Sequence, residues 1–302
     1  MEDTGTIGHR DRRPHSTATF LLRLAGDVGR AAVEAVYPKK CCACGSYWST
    51  GAVRQLDAKQ ACHVETPDQR LAGLFRRVMR PYLCSECIAS FEPVASPVCS
   101  RCGIMFASRF GADHICGTCI QHPLAIRRAR SAGIYAGGLM GAVHQLKYRA
   151  RLGLADPLSR LLQEVFDQHW SAEEIDLVLA VPLHGRRLRQ RGFNQVQMLT
   201  DAWAKRQGRL MEGGMGFAKP RQVLVRNKST PPLTGLGKPA RRRSIRGAFA
   251  VIDGKDLKGQ RILLVDDVYT TGATANEAAR ELKRSGAAWV DIISVARTMP
   301  RL

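Results

Sequence analysis

Eight of the ten cysteines fall into four C-x2-C pairs, and all ten cysteines lie before residue 120. Two such pairs supply the four thiolates that one tetrahedral zinc ion requires. A four-thiolate site has no open coordination position, which favours a structural metal over a catalytic one. The sequence therefore predicts two structural zinc ions in the first part of the chain. Their ligands are Cys41, Cys44, Cys84, Cys87, Cys99, Cys102, Cys116 and Cys119.

The way in which these pairs combine is open at the level of sequence. Sequential pairing leaves 39 residues between the first two pairs and 13 between the last two, and it is the simpler arrangement. A cross-braced arrangement joins the first pair to the third and the second pair to the fourth. Buried free thiols and an iron–sulfur cluster are the competing interpretations. Cys42 could replace Cys41 only within a C-x-C pair, and Cys62 beside His63 is at most a partial third site.

The absence of cysteine after residue 119 places the main boundary of the chain near residue 125. We expect a disordered tail over 1–18, which is charged and lacks periodicity. Residues 19–125 are predicted to form a helix near 19–36 and then a double zinc-ribbon domain with a loose basic insertion over 45–80. Over 126–302, buried apolar strands alternate with amphipathic helices. That alternation predicts an α/β domain with a mainly parallel sheet.

The most informative segment of the second part covers residues 262–274 and reads Ile-Leu-Leu-Val-Asp-Asp-Val-Tyr-Thr-Thr-Gly-Ala-Thr. A buried strand is expected to end in two exposed acids, Asp266 and Asp267, before a hydroxyl-rich loop begins a helix. The N–H groups at the start of a helix bind phosphate, and ligands of open α/β sheets bind at the carboxyl ends of strands. The segment therefore predicts a sugar-phosphate site. The simpler interpretation is a helix capped by Thr274 and Glu277.

This segment resembles the phosphoribosyl pyrophosphate (PRPP) signature of type I phosphoribosyltransferases. The resemblance implies that Asp266 and Asp267 hold the ribose hydroxyls and act in catalysis. It also implies that Mg²⁺ binds together with PRPP. The 5′-phosphate would then be held by the loop residues Thr270, Thr271, Gly272, Ala273 and Thr274.

Further segments are similar to the ComF family. They are Leu-Lys-Tyr-Arg at 146–149 with Leu-Ala at 154–155, Val-Pro-Leu-His at 181–184 and Arg-Leu-Arg-Gln-Arg-Gly-Phe-Asn-Gln at 187–195. Members of this family carry a double zinc ribbon before a type I phosphoribosyltransferase domain. They are cytoplasmic and associated with natural competence, the uptake of external DNA. The resemblance spans about residues 20–298 and implies PRPP as ligand and other competence proteins as partners.

Two positions depart from the pattern of that family. Leu233 stands where the family carries Gln, and Ser244 stands where it carries Asn. The loss of two amides favours a non-catalytic nucleic-acid-binding adaptor that retains a PRPP pocket. The intact 266–274 segment favours an enzyme that transfers ribose 5-phosphate from PRPP to an acceptor.

Basic residues outnumber acidic ones by 46 to 26, which gives a net charge of +20. Arg187 and Arg191 follow a strand end and are expected at the diphosphate, and Lys147 is a further candidate for phosphate binding. The remaining charge exceeds what one PRPP molecule needs, and it predicts a surface for single-stranded DNA. The residues over 70–80 are expected to contribute to that surface. Aromatic and basic residues do not alternate along the sequence, so no base-stacking platform is evident.

The cysteine pairs and the hydropathy pattern together predict a compartment. No apolar run approaches the ~20 residues that a membrane span requires. No secretory signal is visible at the polar N-terminus. We therefore expect a cytoplasmic protein without a membrane span, in a reducing environment where cysteine pairs bind metal.

Overall fold

The computed structural model describes residues 37–48, 66–108, 110–207, 216–218, 223–228, 243–252 and 256–299. The predicted tail, the helix predicted near 19–36, Cys62 and Leu233 lie outside the described residues.

The cysteine-rich part consists of short elements around the C-x2-C pairs. In chain order they are β1 (Lys39–Lys40), β2 (Tyr47–Trp48), α1 (Pro67–Met79), α2 (Ser85–Ala89) and α3 (Gly117–Gln121). Strands β1 and β2 form an antiparallel hairpin around the first pair. Helices α2 and α3 begin directly after Cys84 and Cys116.

The second part alternates strands and helices. Its strands are β3 (Ala129–Ile134), β4 (Leu177–Ala180), β5 (Gly216–Ala218), β6 (Leu224–Arg226), β7 (Phe249–Val251), β8 (Arg261–Tyr269) and β9 (Trp289–Arg297). Its α-helices are α4 (Gly137–Tyr148), α5 (Ala155–His169), α6 (Gly185–Arg191), α7 (Gln195–Gln207) and α8 (Ala273–Arg284). Short 3-10 turns cover Leu152–Leu154 and Ala172–Glu174.

A five-stranded sheet forms the centre of this part, in the order β3-β9-β8-β4-β5. Every neighbouring pair is parallel. The strands β8 and β9 are almost continuously buried, as expected when helices cover both faces of a parallel sheet. The predicted α/β class with a mainly parallel sheet is confirmed.

Two hydrophobic cores lie on opposite faces of the sheet. Alternate residues of β8 divide between them, with Leu263 and Val265 in one core and Ile262 and Leu264 in the other. The larger core takes apolar residues from α4, α5 and α7. The smaller one takes the apolar face of α8 and the antiparallel β6–β7 hairpin.

The larger core extends into the cysteine-rich part. Cys41, Cys84 and Phe75 belong to the same buried cluster as Leu158 of α5 and Leu263 of β8. The first cysteine pairs therefore do not form a unit with a core of its own. The boundary near residue 125 stays a prediction.

The expectation of a loose insertion over 45–80 is wrong for its second half. Residues 67–79 form helix α1, which begins with a capping box between Thr66 and Gln69 and buries Leu71, Phe75 and Met79. These three residues recur every fourth position and therefore lie on one face. Burial of that face explains why a strongly basic segment folds as a helix.

The segment that joins the two parts is fixed to the amino end of β9. The carboxylate of Asp291 is fully buried and accepts hydrogen bonds from the side chains of Arg127 and Arg128 and from Trp170 Nε1. The Arg127 N–H also donates to the carbonyl of Val290 at 2.8 Å. A buried carboxylate with three such partners holds this connection firmly in place.

Candidate functional site

The two adjacent acids lie near the carboxyl end of β8. The strand continues through Asp266 and Asp267 to Tyr269, so the acids lie within the sheet ladder. Asp267 is buried, with 4 % of its surface exposed, and Asp266 is half-buried. The expectation that both acids are exposed beyond the strand end is therefore wrong.

The carboxylate of Asp267 is held by two side chains from neighbouring helices. Lys147 Nζ, at the end of α4, lies 2.8 Å from Oδ1, and Gln195 Nε2, at the start of α7, donates to Oδ2 at 2.5 Å. Arg191 donates in turn to the Gln195 side chain. Burial opposes both charges, but the Lys147 ammonium holds the pKa of Asp267 below its usual range, and Asp267 raises the pKa of Lys147.

Asp266 has a different environment from that of its neighbour. Burial, together with the adjacent Asp267 carboxylate, raises the pKa of Asp266 to about 8. One of its oxygens accepts a hydrogen bond from the Asp267 N–H at 2.9 Å. Of the two acids, Asp266 is therefore the one with capacity to accept hydrogen bonds from a ligand.

Arg226 contributes positive charge near Asp266, and Arg187 lies near Arg226 in turn. Arg226, on β6, is buried, and this burial together with the nearby charge of Arg187 lowers the pKa of Arg226 to about 10. The Asp266 carboxylate acts in the opposite direction on the same group. The role expected of Arg187 from the sequence, contact with the diphosphate, stays a prediction, and Arg226 was missed. The available signal in the sequence was an arginine at the end of a short apolar strand, where a charged side chain is unusual.

The loop after β8 has a conformation that requires glycine. Gly272 is the N-cap of α8 and adopts φ +73°. A β-carbon at this position would lie 2.2 Å from the hydroxyl of Tyr269, so no side chain fits. Thr271 Oγ1 accepts a hydrogen bond from the Ala273 N–H at 3.4 Å. The loop thus brings Thr270, Thr271 and the first amides of α8 to the same edge of the sheet as the acids.

The alternative interpretation of this loop, a capping box between Thr274 and Glu277, is wrong. The N-cap is Gly272, two residues earlier. The Glu277 carboxylate instead accepts a hydrogen bond from the Gly247 N–H at 2.8 Å.

The eight paired cysteines form two four-thiol clusters, and sequential pairing is confirmed. The first cluster contains Cys41, Cys44, Cys84 and Cys87, and the second contains Cys99, Cys102, Cys116 and Cys119. The cross-braced arrangement is therefore wrong. Cys42 is not a member of either cluster, and it accepts a hydrogen bond from Arg151 at 3.3 Å.

The separation of the sulfur atoms fits one metal ion in each cluster. All Sγ atoms within a cluster lie within 4.8 Å of one another, with 3.7 Å between Cys44 and Cys84 and 3.9 Å between Cys102 and Cys116. Tetrahedral zinc with Zn–S bonds of about 2.3 Å requires sulfur separations of about 3.8 Å. Backbone N–H groups also point at the sulfurs, as from Cys84 to Cys41 at 3.4 Å. The donors therefore suit a structural zinc ion.

The second cluster lies directly beside the loop that follows β8. Arg297, at the end of β9, has 4 % of its surface exposed, and its Nη2 lies 3.5 Å from the sulfur of Cys102. The same guanidinium stacks 4.7 Å from the ring centre of Tyr269. A cavity of about 240 Å³ between this cluster and the loop is lined by Cys119, Thr270 and Thr271.

Among the described residues, no helix is long and apolar enough to cross a membrane.

Comparison with known proteins agrees with this geometry. Residues 154–299 match the model of the phosphoribosyl transferase domain family. The chain is 34 % identical over 220 residues to the DNA utilization protein YhgH of Salmonella typhimurium, covering 72 % of this chain and 91 % of that protein. It is 27 % identical to competence protein F of Haemophilus influenzae, covering 71 % and 90 %.

A solved structure is also similar. Glutamine phosphoribosylpyrophosphate amidotransferase from B. subtilis, complexed with ADP and GMP, is 19 % identical, with a TM-score of 0.32 over 50 % of this chain and 30 % of that one. The fold, the two cysteine clusters and the relatives lead to one conclusion. The chain belongs to the competence protein F and YhgH family, with a phosphoribosyltransferase domain behind two four-cysteine clusters.

Proposed function

We propose that this chain binds PRPP with Mg²⁺ at the carboxyl ends of its strands and transfers ribose 5-phosphate to an acceptor in the course of DNA utilization. One observation carries the proposal. Asp266 is followed by a glycine loop suited to a 5′-phosphate and lies within electrostatic range of Arg226, which has Arg187 near it in turn and is suited to a diphosphate. The two clusters are proposed to hold structural zinc. The names of the relatives support the link to DNA utilization and competence.

The two acids have different roles in this proposal. Both oxygens of Asp267 already accept hydrogen bonds, from Lys147 and Gln195, so Asp267 positions the site. Asp266 accepts hydrogen bonds from the ribose hydroxyls. It also stabilises the positive charge that develops at the anomeric carbon as the diphosphate leaves. Mg²⁺, bound largely by oxygens of PRPP itself, neutralises charge on the leaving diphosphate.

Calorimetric titration with Mg²⁺ and PRPP tests the site. Asp266→Asn should weaken binding about 10- to 100-fold, as expected when charge-assisted hydrogen bonds of about 1.5–3 kcal/mol are lost. The urea midpoint of unfolding should stay close to that of the parent. Asp267→Asn should lower both PRPP affinity and stability because it removes the partner of buried Lys147. Asp201→Asn, on α7, is the control, and an Asp266→Asn protein with parental affinity would refute the site.

The pH dependence of PRPP binding provides a second measurement. The ribose hydroxyls donate to the ionised form of Asp266, and the pKa of that group without ligand is about 8. Affinity should therefore rise about tenfold between pH 7 and pH 9 as the carboxyl loses its proton. Asp266→Asn should remove that rise, and an equal rise in this variant would assign the titration to another group.

Release of diphosphate separates the enzyme from the adaptor. Parent protein saturated with Mg²⁺ and PRPP is mixed with candidate acceptors, and free diphosphate is measured. Release that depends on both an acceptor and Asp266 supports the transferase. PRPP binding with no release in the presence of any acceptor supports an adaptor that retains the pocket, as the Leu233 and Ser244 substitutions favour.

A further inference from the structure

We propose that a basic groove beside the first cysteine cluster binds single-stranded DNA. The groove lies between Lys40–Gly45 and the end of α4, where Gln145, Arg149 and Arg151 line it, and its volume is about 550 Å³. The choice of DNA rests on the proposed role in DNA utilization, whereas the groove itself is independent of PRPP binding.

The charge of this groove is one-sided. The two segments that build it, 37–48 and 137–154, contain no Asp or Glu. Four exposed cations lie on them, and no ion pair within the described part of the chain involves any of the four: Lys39, Lys40, Arg149 and Arg151. Elsewhere in the described residues, arginines such as Arg160 and Arg261 pair with acids. Lys40, Arg149 and Arg151 line the groove itself, and positive charge without acidic partners there is suited to a phosphate backbone.

Three exposed tyrosines lie on the two segments that build the groove. Tyr37, Tyr47 and Tyr148 have 77 %, 67 % and 61 % of their surface exposed. Lys40, which lines the groove, lies 5.9 Å above the ring of Tyr47, whereas the cation 5.2 Å above the ring of Tyr148 is Arg191 of the acid site. Exposed aromatic faces beside cations are the combination on which unpaired bases stack.

This combination selects a single strand over a duplex. The bases of a duplex are stacked on each other and present no free face to a tyrosine, so a duplex has only its backbone to offer. A single strand places its phosphates on the cations and its bases on the rings. The two classes of contact differ in their response to salt, since only the phosphate contacts release counterions.

The groove has a fixed shape because its two walls are in close contact. A β-carbon added to Gly141 of α4 would lie 2.3 Å from the β-carbon of Ala43, between two cysteines of the first cluster. The intervening turn uses Gly45 at φ +80°. A metal ion in the first cluster would fix the wall that carries Lys40 and Tyr47. The protein backbone of the groove then loses little conformational entropy when single-stranded DNA binds.

Fluorescence anisotropy of a labelled 20-nucleotide oligo-dT with the full chain tests the groove. Arg149→Gln with Arg151→Gln should weaken binding at least tenfold and lower the slope of log K against log salt by about 1.4, two phosphates at ~0.7 each. Tyr37→Ala with Tyr47→Ala should weaken binding about tenfold while leaving the slope unchanged, as loss of stacking predicts.

Arg76→Gln with Arg77→Gln, on α1, is the matched control because it removes the same charge outside the groove, from the 70–80 segment to which the sequence alone assigned DNA binding. Affinity should fall less than threefold in this control. PRPP binding should stay parental in every variant, which shows that the fold is intact and keeps this test separate from that of the PRPP site. The proposal is overturned if the parent does not bind oligo-dT, or if the control weakens binding as much as the groove variants do. It is also overturned if a duplex or a ribo-oligonucleotide of equal length displaces the probe more effectively than unlabelled oligo-dT.

Discussion

The two cysteine clusters share their ligand spacing and differ in nearly everything around them. In the first cluster, Cys41 and Cys84 are part of the large core beneath α5, and Cys44 is exposed. In the second, Cys99, Cys102 and Cys119 form a small core of their own. Ligand spacing thus determines how each cluster holds a metal. The surroundings determine what a bound metal would support, which is a hydrophobic core in one case and the loop after β8 in the other.

An arginine beside each cluster shows the same contrast. Arg151, near Cys42, is exposed to solvent, so its charge is well hydrated. Arg297, near Cys102, is buried, and a buried cation is costly unless an opposite charge or an aromatic face compensates it. The ring of Tyr269 supplies the aromatic face, and the sulfur of Cys102 accepts a hydrogen bond from the guanidinium. Arg297 therefore connects the second metal site to the strand that carries Asp266.

Loss of a ligand from the first cluster should have the largest effect. Cys84→Ser should remove one of two bound zinc ions and lower the free energy of unfolding by at least about 5 kcal/mol, because metal binding energy is folding energy and this cluster shares the main core. Metal content and urea unfolding measure the two changes. Cys42→Ser is the control, buried but outside the cluster, with an expected loss of about 1 kcal/mol. Equal losses in both variants would refute the distinction.

Replacement of the buried Arg297 should have an intermediate effect, and that effect should fall on PRPP affinity. Arg297→Met should lower PRPP affinity about tenfold, or about 1.4 kcal/mol, because Tyr269 loses the group that stacks on it beneath Gly272. Titration with Mg²⁺ and PRPP measures it. Arg297→Lys should retain part of the affinity since the charge remains. Parental affinity in Arg297→Met would show that the second cluster and the phosphate loop are independent.

The smallest effect is expected from the exposed arginine. Arg151→Met should change the free energy of unfolding by less than about 0.5 kcal/mol, as is usual for surface positions. PRPP affinity should be unchanged. If Arg151→Met lowered PRPP affinity as much as Arg297→Met does, the contrast between the exposed and the buried arginine would be contradicted.

Much of the fold could be predicted from the sequence because its signals are local. The apolar run before Asp266 predicts β8, and the C-x2-C spacing predicts the membership of both clusters. Helix α1 also had local signals, the Thr66–Gln69 capping box and an apolar residue at every fourth position, which its many arginines obscured.

The chemistry of the site depends on contacts between distant residues, and these could not be predicted. Lys147 and Asp267 are 120 positions apart in the sequence, and only the packing of α4 against the sheet brings them together. The charge of Arg226, which acts on Asp266, comes from a separate hairpin. Likewise, Tyr47 and Tyr148 come from different segments, so no alternation of aromatic and basic residues is visible along the chain.

Strand β9 is held near both ends, by the connecting segment at one end and by the second cysteine cluster at the other. At its amino end, Asp291 binds the arginines of the connecting segment, and at its carboxyl end Arg297 meets Cys102. Asp291 and Arg297 are six residue steps apart on this strand, which at about 3.3 Å per residue separates the two anchors by about 20 Å. Two domains joined by one linker normally rotate about it. Two separate attachments on one strand prevent that rotation. The cysteine-rich part therefore acts as a rigid support for the edge of the sheet that carries Asp266.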